Sequence, residues 1–112
     1  LTAANYARIE KLGRLLADRL EAIFKRRNLA WRAFCLGPRS GYCMYPDLPR
    51  NAAEAIRSID AELIDARRVY MANRGHWDAV VSAGPQVSFA HDSADIDHYA
   101  EIADSFLGEF VS

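Results

Sequence analysis

Residues 31–45 read WRAFCLGPRSGYCMY. This stretch decides the fold, because the other strongly patterned segments of the chain are helical. Trp31-Arg-Ala-Phe-Cys-Leu36 has the aromatic and apolar content of a strand, Gly37-Pro-Arg-Ser40 is a cluster of turn formers, and Gly41-Tyr-Cys-Met-Tyr45 reads as the return strand. Together they make a β-hairpin. A hairpin alone is marginal in water and needs a further strand or a helix against it.

Both flanks supply helices. Upstream, Ile9, Leu12, Leu16, Leu20 and Ile23 recur at steps of three and four, which predicts one amphipathic helix over residues 3–28. Arg8, Lys11, Arg14, Asp18 and Glu21 fall on its polar face. Lys25-Arg-Arg27 suits the negative end of the helix dipole and reads as a solvated terminus, with Asn28 as the stop. Downstream, Pro46 and Pro49 interrupt the pattern. Asn51 with Glu54 forms a capping-box variant, and Ile56, Ile59, Leu63, Ala66 and Tyr70 form the stripe of one second helix to about Asn73, ended by Gly75.

Residues 76–85 show no period and read as a loop. Residues 86–90, QVSFA, alternate like a strand, with Val87 and Phe89 on one face. Asp92 or Ser93 caps a last helix with the stripe Ile96, Tyr99, Ala103, Phe106 and Phe110. The order helix, hairpin, helix, strand, helix predicts a two-layer α+β domain. Its small antiparallel sheet has about three strands, with helices on one face.

The chain has 112 residues, 51% hydrophobic and 26% charged, with a net charge of −1, enough for one domain with one modest core. The charge balance argues against nucleic acid as a partner, and no apolar run reaches the roughly 20 residues of a membrane span. Cys35 and Cys43 flank the hairpin turn, so a cross-strand disulfide and two free thiols are both open, the thiols favoured because nothing else suggests a disulfide-built domain. The spacing of His76, His91 and His98 fits no zinc pattern. Asp92, Asp95 and Asp97 lack the glycine and terminal glutamate of a calcium loop and suit a helix N-terminus instead. There is no nucleophile elbow and no phosphate-cradling glycine loop. The two lysines, Lys11 and Lys25, lie on the first helix, where neither has the desolvated pocket of a Schiff-base lysine. No catalytic residue is assigned.

YMANRGHWDAVVSAGPQVSFAHDSADIDHYAEIADSFL, residues 70–107, resembles the C-terminal part of class III pyridoxal-phosphate-dependent aminotransferases, nearest the branch similar to glutamate-1-semialdehyde 2,1-aminomutase. Ser88-Phe-Ala-His91, the acidic helix start Asp92–Asp97, and the closing helix through Phe106 carry the likeness. Leu12-Gly13, Gly41-Tyr42 and Tyr70-Met-Ala-Asn-Arg-Gly75 extend it over nearly the whole chain.

The resemblance implies that residues 1–112 are the small C-terminal domain of a larger fold-type I enzyme. The large domain of the same polypeptide would then hold pyridoxal 5′-phosphate, with its lysine, the aspartate on the pyridine nitrogen and the phosphate-binding groups. It also implies a cytoplasmic homodimer that moves an amino group between an amine or amino acid donor and a carbonyl acceptor. The start at Leu1, rather than methionine, fits a piece of something longer.

Four residues are candidates for substrate contact. Ser88 stands where many aminotransferases of this class carry a carboxylate-binding arginine. Asp78 is the only acid in the loop where the aminomutase has a glutamate. Arg39 lies in the hairpin turn, and Trp77 lies where it can line the cleft or meet the large domain. The alternative is a stand-alone, non-catalytic α+β interaction module. The two differ in surface: a domain from a larger enzyme exposes an apolar patch, expected around Trp77 and the first helix.

Overall fold

The computed structural model describes residues 2–36, 39–57, 59–75 and 92–111. The expected loop 76–85 and strand 86–90 lie outside them. The elements are α1 (Ala3–Arg26), β1 (Arg32–Leu36), β2 (Arg39–Cys43), α2 (Ala52–Arg57), α3 (Ala61–Ala72) and α4 (Ser93–Phe110). The architecture is α+β, with a two-stranded antiparallel sheet among the described residues.

α1 forms as its stripe predicts. Thr2 caps it by accepting from the Asn5 amide at 3.1 Å. At the other end Asn28 adopts φ 57°, while the Leu29 amide reaches back to the Phe24 carbonyl and the Asn28 amide to that of Lys25. This is a Schellman stop in which asparagine takes the left-handed position. Ile9, Leu16, Leu20, Ile23 and Phe24 are buried. Burial of side chains such as Leu20 and Phe24 contributes roughly 1.5–3 kcal/mol each.

α1 packs against both strands and against α4, and α3 packs on α4. From α4 come Ile96, Tyr99, Ala103, Phe106 and Leu107. Asp92 and Asp95 cap α4 reciprocally, the Asp95 amide donating to Asp92 at 3.1 Å and the Asp92 amide to Asp95 at 2.9 Å. They are helix-start acids, as the sequence suggested. Arg19 pairs with Asp97, and Arg26 and Arg27 pair with Asp104. Both sets advance together along the two helices, so α1 and α4 run in the same direction. The Lys25-Arg-Arg27 terminus is thus not simply solvated: Arg27 Nε donates to Asp104 at 2.6 Å. Gly108 leaves room for this, since a Cβ there would lie 2.9 Å from Arg27 Nη2.

Glu21 also leaves the expected solvent face. It accepts from the Ala33 amide at 2.7 Å and from Arg32 Nε at 2.8 Å, tying α1 to β1.

The hairpin pairs Arg32 with Cys43 through Leu36 with Arg39. β2 therefore starts two residues before the expected Gly41, drawing Arg39 and Ser40 into the ladder. Ser40 is fully buried and donates from Oγ to the Gly13 carbonyl at 2.7 Å, so a residue that reads as turn former instead locks the strand to α1. Phe34 lies opposite Gly41, and its ring fills the place of the missing side chain: a Cβ on Gly41 would come within 2.6 Å of the ring. Cys35 pairs with Ser40 and Cys43 with Arg32, on opposite faces and about 10 Å apart along the strand. Both cysteines are free thiols.

The single helix expected over residues 51–73 is two helices. Asn51 caps α2 by accepting from the Glu54 amide at 2.9 Å, as expected. Asp60, however, caps α3 by accepting from the Leu63 amide, which ends one helix and starts another. The apolar stripe divides with it. Tyr70 is buried and Leu63 and Ala66 pack against the core, but Ile56 is 74% exposed and Ile59 41%. On α4, Phe110 likewise lies at the surface, 54% exposed.

Candidate functional surface

Of the residues expected to meet substrate, Trp77, Asp78 and Ser88 lie outside the described residues. Arg39 opens β2 opposite Leu36, in the ladder rather than in a free turn.

The described residues hold a polar cluster that the sequence reading passed over. Arg67 of α3 is 4% exposed, and its Nη1 donates to the Tyr42 hydroxyl at 2.9 Å. Its guanidinium carbon lies 5.5 Å from the centroid of the same ring, within cation–π range. Tyr42 stacks on Trp31 at 6.0 Å, and Phe24 meets both rings edge-on. A signal for this existed: Arg67 stands four residues after Leu63 and three before Tyr70, on the buried side of α3. The space beside it, among Tyr42, Met71 and Tyr99, is about 10 Å³, about one water and too small for a substrate. The cluster fastens α3 to the hairpin.

Larger openings lie around α2. One hollow of about 600 Å³ is lined by Tyr45, Asp47, Leu48, Pro49, Arg50, Glu54 and Arg57. A second, of about 370 Å³, is lined chiefly by Trp31, Met44, Arg57, Ile59, Leu63 and Phe110. They adjoin at Arg57. Among the described residues the large exposed apolar side chains are Tyr6, Phe34, Leu36, Tyr45, Leu48, Ile56, Ile59, Val69 and Phe110, of which only Tyr6 is on α1; Tyr45 and Leu48 line the first hollow, and Ile59 and Phe110 the second. α2 itself buries none of its residues.

Charge is arranged differently in the two regions. At Asp104, burial pushes the carboxyl up, but hydrogen bonds from Arg27 and then Arg26 outweigh it and hold the group below its ordinary value. At Glu54, the hydrogen bonds from the Arg50 side chain and backbone lower the carboxyl, with a smaller push from Arg57. No group of three or more potential metal ligands occurs among the described residues, and no described helix is long and apolar enough to cross a membrane. Lys11 and Lys25 are both exposed on α1.

The fold thus defined is a small α+β domain in which two parallel helices and a third support a hairpin. No protein-family model matches the chain, and no curated protein matches it. Solved structures do. A lysine-to-alanine variant of a glutamate-1-semialdehyde aminomutase from Pseudomonas aeruginosa, in complex with PMP, superposes with a TM-score of 0.93 at 22% identity over 98% of this chain. A second structure of a glutamate-1-semialdehyde aminomutase from that organism gives 0.90 at 22% over 96%. A transaminase with PLP bound gives 0.73 at 18% over 97%. In each case this chain spans 24% of the other chain's length. The α+β fold expected from the sequence is therefore one that an aminomutase and a transaminase contain as about a quarter of their length.

Proposed function

We propose that residues 1–112 are the small C-terminal domain of a class III pyridoxal-phosphate-dependent enzyme, an aminotransferase or aminomutase of the glutamate-1-semialdehyde aminomutase-like branch. The observation that carries this reading is the superposition at TM-score 0.93 over 98% of this chain on 24% of an aminomutase that holds PMP. The sequence likeness of residues 70–107 points the same way.

The described residues do not fit the cofactor themselves. Its aldehyde needs a lysine held in a desolvated pocket, and both lysines here are exposed on α1. The cofactor belongs to a large domain elsewhere on the polypeptide, where it supplies the electron sink for moving an amino group between an amine or amino acid donor and a carbonyl acceptor. This chain's part is to close over that site, exclude water and shape specificity, with Ser88, Asp78, Trp77 and Arg39 toward the substrate. The whole enzyme is read as a cytoplasmic homodimer.

Two measurements test this. The natural polypeptide should have a mass several times 12.6 kDa and should hold pyridoxal phosphate at one equivalent per chain, read by its absorbance. The 112-residue chain, mixed with pyridoxal phosphate and reduced with borohydride, should give no stoichiometric adduct at a single lysine. A natural product of 12.6 kDa would instead favour the stand-alone interaction module.

A further inference from the structure

The segment from Tyr45 to Ile59 presents apolar side chains that the domain itself does not use. Ile56 is 74% exposed, Tyr45 54%, Ile59 41% and Leu48 40%. Tyr45 and Leu48 line one hollow and Ile59 lines a second, and the two meet at Arg57; Ile56 is the residue before Arg57 on α2 and lines neither. Continuous apolar surface of this kind marks an interaction site more often than free solvent. α2 buries none of its own residues, so it contributes nothing to this domain's core.

The charge at the centre narrows the partner. Glu54, the carboxylate nearest along the helix, is engaged at both oxygens by Arg50: Oε2 accepts from its amide at 2.8 Å and Oε1 from its Nη2 at 3.1 Å. Arg57 makes no ion pair among the described residues. The hollows that meet at Arg57 are lined by apolar side chains and also by the acids Asp47, Glu54 and Asp60, yet none of these lies within ion-pair distance of its guanidinium; such a guanidinium suits a segment that is apolar and carries one carboxylate.

We propose that this surface is where the cofactor-bearing portion of the same polypeptide docks, through an apolar segment whose carboxylate meets Arg57. The inference rests on the function proposed above. It commits to that occupant because the chains that share this fold are about four times as long, so the fold there is one part of a larger body.

The test uses the natural polypeptide carrying Tyr45→Cys, at a residue that lines the first hollow. Maleimide labelling at that site is followed by peptide-resolved mass spectrometry, in the native state and in urea. Because Tyr45 is 54% exposed within this domain, the domain alone gives it little protection. The expected result is labelling slowed by about tenfold or more in the native state, independent of protein concentration, with much of the protection lost on adding Arg57→Glu. Equal native and unfolded rates in a polypeptide that still binds pyridoxal phosphate would overturn the docking surface and leave the proposed function standing. Protection that disappears on dilution would assign the surface to a second copy of the chain and overturn the occupant named here. Protection unaffected by Arg57→Glu would remove the carboxylate from the proposal. A natural polypeptide of 12.6 kDa with no cofactor would remove the reading beneath it.

Discussion

The body of the domain and the segment from Met44 to Ile59 use the same kinds of residue to opposite ends. In the body, α1 and α4 bury Leu20, Phe24, Ile96 and Phe106, and arginines are paired with the domain's own groups: Arg67 with Tyr42, Arg26 and Arg27 with Asp104. In the segment, isoleucines and a tyrosine face outward, α2 buries nothing, and Arg57 stands at the junction of two hollows. The body is organised to be stable. The segment leaves apolar side chains and a guanidinium without cover among the described residues. A side chain's type therefore says less about its task than whether its own domain has already satisfied it.

The contrast can be broken in the body first. Phe24→Ala removes a side chain 1% exposed that touches the rings of Trp31 and Tyr42. It should cost about 3–5 kcal/mol, read as a fall in the urea midpoint at unchanged slope. A loss below about 1 kcal/mol would mean that the core is not centred on α1.

Next in size is Tyr42→Phe. It keeps the ring against Trp31 but takes the hydroxyl oxygen from Arg67 Nη1, deep in the domain. The expected loss is about 1–3 kcal/mol, because a buried donor is left without that acceptor. Urea unfolding of the variant checks it.

The α1–α4 clamp gives a pH signature. Asp104 is held below its ordinary value of 3.8 in the folded state. A depressed carboxyl stabilises the fold fully above its unfolded value, and that contribution is lost as pH falls from about 3.8 through the folded value. Asp104→Asn should cost about 1 kcal/mol at pH 7. Its stability should also fall less steeply than the parent's as acid is added below that value. Parallel acid curves for the two proteins would show that the clamp does not carry the dependence.

The smallest effect sharpens the contrast from the other side. Ile56→Ala should change the stability of the folded chain by no more than about 0.5 kcal/mol, although the same truncation in a core costs several times that. A loss above about 1 kcal/mol, measured in the same urea series, would mean that this surface belongs to the body after all.

The fold is legible in the sequence where local rules are obeyed. The stripe of α1, the stop at Asn28, the caps at Asn51 and Asp92 and the hairpin itself follow from spacing and residue type over a few positions. It is not legible where a local signal has two meanings. Ser40 looks like a turn residue, yet its hydroxyl is consumed by Gly13, 27 positions away in sequence. Ile56 and Ile59 continue the period of Leu63, so they looked like core, but the Asp60 cap breaks the helix and turns them outward. Glu21 lies on a polar face and yet serves the Ala33 amide. Of the substrate-facing candidates, only Arg39 falls within the described residues, and its place in the β2 ladder could not be read from Gly-Pro-Arg-Ser alone.

By itself the sequence determined the class of fold and most element positions, because helix periodicity, capping and hairpin formation act between residues close in the chain. Only the tertiary structure decided which polar and apolar groups are already satisfied. Arg67 found Tyr42 and Asp104 found Arg27, while Arg57 and Ile56 were left facing outward. Those outcomes depend on contacts between residues far apart in sequence, and whether a charge is paired or an apolar face covered has no signature at short range.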